Sequence, residues 1–141
     1  MELIVAKKID TFDQDHKKNG WLIELLKEDG KTKSYLTTIF PRVLKGFHLH
    51  TTQTSNYVCI RGRLKIILFT LKNQVWEKEE FVMDAANPTR FSIPTGLAIG
   101  IENISDEVAE LINFPDPPFD PDNKKEQINY SLEELENNII K

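Results

Sequence analysis

The amino-acid sequence predicts an all-β domain of the sandwich or jelly-roll kind, and three observations carry that reading. Apolar runs are short and rich in β-branched and aromatic residues, most are closed within a few residues by Gly, Pro, Asn or Asp, and no long stretch keeps a helical period. A chain of 141 residues, 40% hydrophobic and 28% charged, has the length and composition of one globular domain.

The strands are read in order. Residues 21–26 and 34–40 flank Lys27-Glu28-Asp29-Gly30, whose Asp-Gly step suits the two positive φ angles of a tight hairpin. Residues 57–60 and 64–71 flank a second turn, Arg61-Gly62-Arg63. Residues 74–76, 80–83, 89–93, 97–101 and 108–114 follow, each bounded by turn residues, for roughly eight to eleven strands in all. Four of the seven prolines fall within residues 115–121, and proline cannot donate to a ladder, so the barrel is expected to occupy residues 1–119. Residues 120–141 read as an acidic tail with one short helix over about 132–140, started by Ser131 and Glu134 as a capping box. Leu132, Leu135, Ile139 and Ile140 give that helix an apolar stripe for the body or for a second subunit.

The net charge of −4 excludes the clustered positive field of a nucleic-acid binder. Six acids and three bases lie in residues 120–141, which leaves residues 1–119 nearly neutral, with sixteen acids and fifteen bases. A small anionic ligand held by a few placed cations remains compatible with that body. No apolar run reaches the ~18 residues of a membrane span and the N-terminus has no signal-peptide pattern, so a cytoplasmic protein without a membrane partner is expected. A single cysteine, Cys59, excludes internal disulfides and a multi-thiolate zinc site; mid-strand in an apolar run, it reads as a small hydrophobe.

The most informative segment is Lys45-Gly46-Phe47-His48-Leu49-His50, because on a strand His48 and His50 point to the same face. Only one other histidine exists, His16. A second segment runs Pro94-Thr95-Gly96-Leu97-Ala98-Ile99-Gly100-Ile101-Glu102-Asn103. Together they resemble the paired motifs of the cupin superfamily: Gly46, His48, His50 and Gly62 fit the first, and Pro94, Gly96 and Asn103 the second. The resemblance implies a small double-stranded β-helix, in agreement with the strand pattern. Ser55 stands where a cupin has its acidic metal ligand and Ile99 where it has its last histidine, so no resident metal and no cofactor are expected.

Among metal-free cupins the chain is similar to the dTDP-4-dehydrorhamnose 3,5-epimerases and the related dTDP-sugar 3,4-ketoisomerases. The resemblance is carried by Lys45-Gly46-Phe47-His48, by Phe91 to Gly100, and by Asn113-Phe114-Pro115 beside the family's proline-bearing exit segment. It implies proton transfer beside the 4-keto group of a 4-keto-6-deoxy sugar nucleotide, with His48 as base and His50 as shuttle or enolate partner. The family's tyrosine acid falls on Ile112, which cannot donate, and the aspartate that orients the base has no counterpart that aligns.

Strand parity offers a substitute: if Ser55 faces inward so does Tyr57, which is either a phenol acid entering from another strand or a barrel-filling aromatic. Lys45 and Arg42 are candidates to clasp a diphosphate, with Gln53, Ser55 and Asn103 as further substrate contacts. Arg61 and Arg63 read as flanks of a solvated turn, and Trp21 and Trp76 as core or interface residues. The expectation is a metal-independent epimerase or keto-isomerase of a nucleotide-diphosphate sugar. An inert sugar-nucleotide-binding or assembly module stands as the alternative, favoured by the aliphatic Ile99 and Ile112. The family's dimers exchange strands, and residues 2–8 supply a segment for that.

Overall fold

Alternation of buried and exposed residues along short strands leaves each sheet with one face to cover, and two sheets packed face to face cover it. The computed structural model describes residues 1–141. In chain order its elements are β1 (Lys8–Phe12), β2 (Lys18–Glu28), β3 (Lys31–Ile39), β4 (Leu44–His50), β5 (Ser55–Arg61), β6 (Arg63–Lys72), β7 (Val75–Asp84), β8 (Arg90–Ile93), β9 (Ala98–Asn103), β10 (Ala109–Asn113), β11 (Gln127–Asn129) and α1 (Leu132–Glu136). One sheet has the order β1-β2-β3-β10-β5-β8 and the other β11-β4-β9-β6-β7, the crossed-over order of a jelly roll. The expected all-β class and its short terminal helix are both present.

Turn chemistry sets the registers. Asp29 and Gly30 take φ of 53° and 75° and close the β2–β3 hairpin. Asn73 and Gln74, at 50° and 65°, do the same between β6 and β7. That hairpin corrects the sequence reading of separate strands at 74–76 and 80–83: Gln74 is in the turn, and residues 75–84 form one continuous strand, β7, paired along its length with β6.

The inward faces meet in a core of Ile39, Cys59, Leu64, Ile66, Leu68, Met83, Ile93 and Leu111. The second sheet also buries its outer face. Phe47, Leu49, Ile67, Phe69, Trp76 and Ala98 point away from the barrel interior and are covered by Tyr130 and by Leu135 of α1. Behind the prolines, β11 pairs with β4, and the Ser131–Glu134 capping box is formed. The helix itself ends at Glu136, short of the expected 140. Asn138 takes a φ of 56°, its side chain accepts from the Trp76 backbone N–H at 2.9 Å, and the Ile139 carbonyl accepts from the Trp76 indole at 2.8 Å. Those bonds to β7 replace further helical turns.

Of residues 2–8 only Lys8 is in β1, and Leu3, Ile4 and Val5 stand exposed ahead of it. No helix is long and apolar enough to cross a membrane.

Leu135 is 1% exposed although it lies in the acidic segment. Leu135→Ala is expected to lower stability by about 2–5 kcal/mol in urea unfolding, a buried-core loss; a change within ±0.5 kcal/mol would mean the helix adds nothing to the barrel.

Candidate active site

The two sheets enclose a cavity of about 700 Å³. It is lined on one side by residues of β1, β2, β3, β10 and β5, on the other by residues of β4, β9 and β11, and further by the turn after β1 and by residues 130–132. Lys45, His48, His50 and Tyr57 all line it.

Lys45 and His48 share this cavity despite being three residues apart, which strict alternation forbids. Opposite them on β9, Lys45 pairs with Ile101 and His48 with Ile99, so β4 carries one extra residue and bulges between them. Gly46 makes the bulge possible. Its φ is 132°, and a Cβ there would lie 2.7 Å from the Ile99 carbonyl oxygen.

Both imidazoles are held at Nδ1. The His50 Nδ1–H donates to Glu126 Oε2 at 2.9 Å, and the buried Glu126 also accepts at Oε1 from the Gln53 backbone N–H at 3.1 Å. His48 Nδ1 is 2.8 Å from Asn129 Oδ1, which itself accepts from Gln127 Nε2 at 2.8 Å. The carboxylate assigns the proton of His50 to Nδ1; His48 Nδ1 lies 2.8 Å from the Asn129 oxygen and 3.1 Å from Gln127 Nε2, and the shorter contact, to the acceptor, places its proton on Nδ1 as well, so each Nε2 keeps its lone pair. Loss of water against the cavity walls holds His48 below the ordinary histidine value of 6.5, opposed by the Asn129 bond and assisted by the Lys45 ammonium nearby. At neutral pH His48 is therefore an unprotonated base.

The Lys45 ammonium is buried and has no hydrogen-bond partner. Desolvation lowers its pKa to about 8. An unpaired cation in a cavity wall is a receptor for negative charge on a ligand.

On the opposite wall, Asn113 of β10 pairs with Tyr35 of β3 on one side and Tyr57 of β5 on the other, so the three side chains form a row across adjacent strands. Asn113 Nδ2 donates to the Tyr35 hydroxyl at 2.7 Å. Burial raises both phenols, and both keep their protons at neutral pH. Tyr57 is 6% exposed and belongs to the core as well as to the cavity.

The remaining sequence candidates lie elsewhere. Ser55 is inward-facing and buried, as parity predicts, but lies outside the cavity wall. Gln53 is buried and contributes its backbone N–H to Glu126. Arg42 is exposed on a loop, bonded to Asp106 at 2.9 Å, and does not line the cavity. Asn103 is fully buried, donates to the Ile39 and Glu107 carbonyls at 3.0 and 2.8 Å and accepts from Ser105. Its amide is committed to fixing the loop after β9, which corrects its reading as a substrate contact. Arg61 and Arg63 pair with Glu110 and Asp84, Trp21 packs on Phe40, and burial raises the Cys59 thiol. His16 is exposed in the turn after β1.

Sequence reasoning missed Tyr35, Asn113, Glu126, Gln127 and Asn129. Parity along residues 35, 37 and 39 carries a signal for Tyr35; nothing local marks Glu126. Ile112 lies outside the cavity wall, whose β10 residues are Leu111 and Asn113, so its aliphatic side chain does not occupy the site. The donors do not fit a cupin metal: Ile99 is paired with His48, Ser55 is outside the wall, and no three His, Cys, Asp or Glu side chains converge.

The family described as polysaccharide biosynthesis C-terminal domain matches residues 14–126. The spore coat polysaccharide biosynthesis protein SpsL of Bacillus subtilis (strain 168) is 24% identical, over 88% of this chain and 85% of the relative. The probable low-salt glycan biosynthesis epimerase Agl13 of Haloferax volcanii is 27% identical, over 77% of this chain and 76% of the relative. The solved structure of the capsular polysaccharide assembling protein CapF from Staphylococcus aureus superposes with a TM-score of 0.70 at 23% identity, covering 86% of this chain and 34% of CapF. This chain thus spans about a third of that protein. A dTDP sugar isomerase from Desulfovibrio desulfuricans G20 gives a TM-score of 0.62 at 15% identity, over 90% of this chain and 81% of the other. At these identities the two structures speak for the fold.

Because Lys45 titrates near 8 when folded and at 10.5 when unfolded, the unfolded chain binds more protons between those values, and stability rises with pH across that window. Lys45→Met is expected to abolish the rise and to stabilise the protein at pH 7 by about 1–3 kcal/mol in urea titrations. A wild-type profile flat from pH 8 to 10 would show that the ammonium is solvated.

Proposed function

The chain belongs to the polysaccharide biosynthesis C-terminal domain family, in the cupin-like sugar-epimerase branch that its paired motifs resemble, and from that premise we propose a metal-independent epimerase or keto-isomerase of a 4-keto-6-deoxy sugar nucleotide. The supporting observation is the pairing of two imidazoles, each anchored at Nδ1 with Nε2 free, with a buried unpaired ammonium in one cavity.

His48 Nε2 takes the proton from the carbon beside the keto group. The C–H electron pair forms a carbon–carbon double bond, and the carbonyl oxygen takes the negative charge. The Lys45 ammonium stabilises that oxyanion where water cannot compete, and His50 lies two residues along on the same face. A proton returned to the opposite ring face inverts the carbon, and one returned to the neighbouring carbon shifts the carbonyl. Tyr57 is a phenol donor in the facing wall. Residues 1–119 are the body of the barrel in this reading, and 120–141 complete its site. Sugar nucleotides are made in the cytoplasm, so the reading places the protein there. It also includes a homodimer, supported by the exposed Leu3, Ile4 and Val5 ahead of the edge strand β1.

The second reading is an inert sugar-nucleotide-binding or assembly module. The aliphatic Ile99 and Ile101 in the wall beside His48 favour it, since neither can move a proton.

In heavy water, the wild-type protein is expected to place deuterium at C3 or C5 of a nucleotide-linked 4-keto-6-deoxy sugar, and His48→Ala to slow this by about 10²–10⁴-fold. No exchange across several such sugars, with binding still seen by calorimetry, would leave the binding module. The exchange rate is expected to rise with pH through a limb below 6.5, as His48 loses its proton, and to fall through about 8, as Lys45 loses its charge. A single alkaline-rising profile would remove Lys45 from the chemistry.

A further inference from the structure

Two strands on opposite sides of the cavity each carry one extra residue. On β4 the bulge at Gly46 brings Lys45 inward. On β2 the register passes from Gly20 opposite Thr11 to Lys18 opposite Phe12, so Asn19 is the extra residue there. Asn19 is buried and lines the cavity. Gly20 has a φ of 151°, and a Cβ in its place would lie 3.0 Å from Lys45 Nζ and run into the Thr38 carbonyl oxygen. The Lys45 ammonium therefore reaches from β4 to the backbone of β2 and ends beside the Asn19–Gly20 bulge.

The Asn19 amide has one orientation. Its Oδ1 accepts from the Thr11 hydroxyl at 2.7 Å, which turns Nδ2 away from Thr11, and that nitrogen makes no hydrogen bond within the protein. The Lys45 ammonium makes none either. None of the cavity's other titratable groups, Asp13, Asp15, His48, His50 and its three phenols, is bonded to it, and the Asp13 carboxylate is taken by the backbone N–H groups of Asp15 and Lys17. Two free donors, one charged and one neutral, thus stand at one place with no protein acceptor to receive them. A ligand atom that suits both has lone pairs and gains negative charge.

We propose that Asn19 Nδ2 is the second donor to the ligand oxygen that becomes the enolate oxyanion, forming an oxyanion hole with Lys45, and that Thr11 is the positioning residue for that amide. The proposal rests on the enolate reading above. As His48 removes the proton, the C–H electron pair moves into the new double bond and charge builds on the former carbonyl oxygen. Both donors then strengthen their hold on it without having to turn. They differ in one respect. The ammonium loses its charge above about 8, whereas an amide N–H does not titrate there, so Asn19 still holds the oxygen on the alkaline side. Gly20 belongs to the same arrangement, because a side chain there would crowd the ammonium.

The experiment measures kcat and KM for deuterium uptake from heavy water into a nucleotide-linked 4-keto-6-deoxy sugar. Asn19→Leu keeps the bulk and removes the donor, and is expected to lower kcat by about 10²–10³-fold with little change in KM. Thr11→Val leaves Asn19 in place but frees its amide to turn, and is expected to lower kcat by about tenfold, with Thr11→Ser recovering most of that loss. Asn19→Asp tests the placement without turnover. A carboxylate beside Lys45 holds the ammonium charged, so the rise in stability between pH 8 and 10.5 expected of the wild type is expected to vanish in urea titrations. Wild-type kcat in Asn19→Leu or Thr11→Val, a loss confined to KM, or an unaltered rise in Asn19→Asp overturns the assignment while leaving the base step intact. A wild-type protein with no exchange at all overturns the enolate reading and this assignment with it.

Discussion

The Glu126 carboxylate is buried, and a buried anion is tolerated only where hydrogen bonds replace the water it has lost. It receives the His50 Nδ1–H and the Gln53 backbone N–H, while its own carbonyl accepts from the backbone N–H and hydroxyl of Thr51. All of those partners lie at the end of β4 or just beyond it. Satisfying one carboxylate therefore brings the C-terminal segment to the edge of the second sheet, where β11 pairs with β4 and delivers Asn129 and Gln127 to His48. The tautomers of both histidines follow from that single attachment.

Strand β4 links packing to chemistry. Its Phe47 and Leu49 fill the outer cluster under α1, and its His48 and His50 face the cavity. A one-residue slip would exchange the two sets, placing imidazoles under the helix and aromatics in the cavity. Packing guards the register closely: a Cβ on Gly100 would lie 2.3 Å from the Phe47 ring. The same outer cluster holds Tyr130 and Leu135, so the contacts that secure the helix also hold the histidine-bearing strand.

The cavity separates its polar groups by wall. Lys45, His48 and His50 lie on the five-stranded side, Tyr35, Tyr57 and Asn113 on the six-stranded side. Desolvation drives each toward its neutral form, lowering His48 and Lys45 and raising Tyr35 and Tyr57. Such a site offers proton acceptors and proton donors from opposite directions at one pH, which single-sided arrangements cannot do. Within the family, the position of Ile112 lies outside the wall here, while Asn113 and its two tyrosine neighbours line it.

Local chemistry made much of the fold legible. The Asp29-Gly30 turn, the Ser131–Glu134 cap, the β-branched runs and the parity of His48 with His50 and of Ser55 with Tyr57 are properties of residues within a few positions of one another, and the structure keeps all of them. The two motifs likewise identified the cupin-like branch from short spacings. What only the tertiary structure decided depends on partners distant in the chain. Lys45 reaches the cavity because a bulge breaks the alternation that sequence periodicity assumes. Asn103 is absorbed by the backbone around Ile39 and Glu107 instead of reaching a ligand. Glu126 lies 76 positions from His50 and Asn113 lies 78 from Tyr35. No local pattern encodes such pairs, because a hydrogen bond is set by distance and direction in space, and antiparallel strands bring together residues whose sequence separation carries no period.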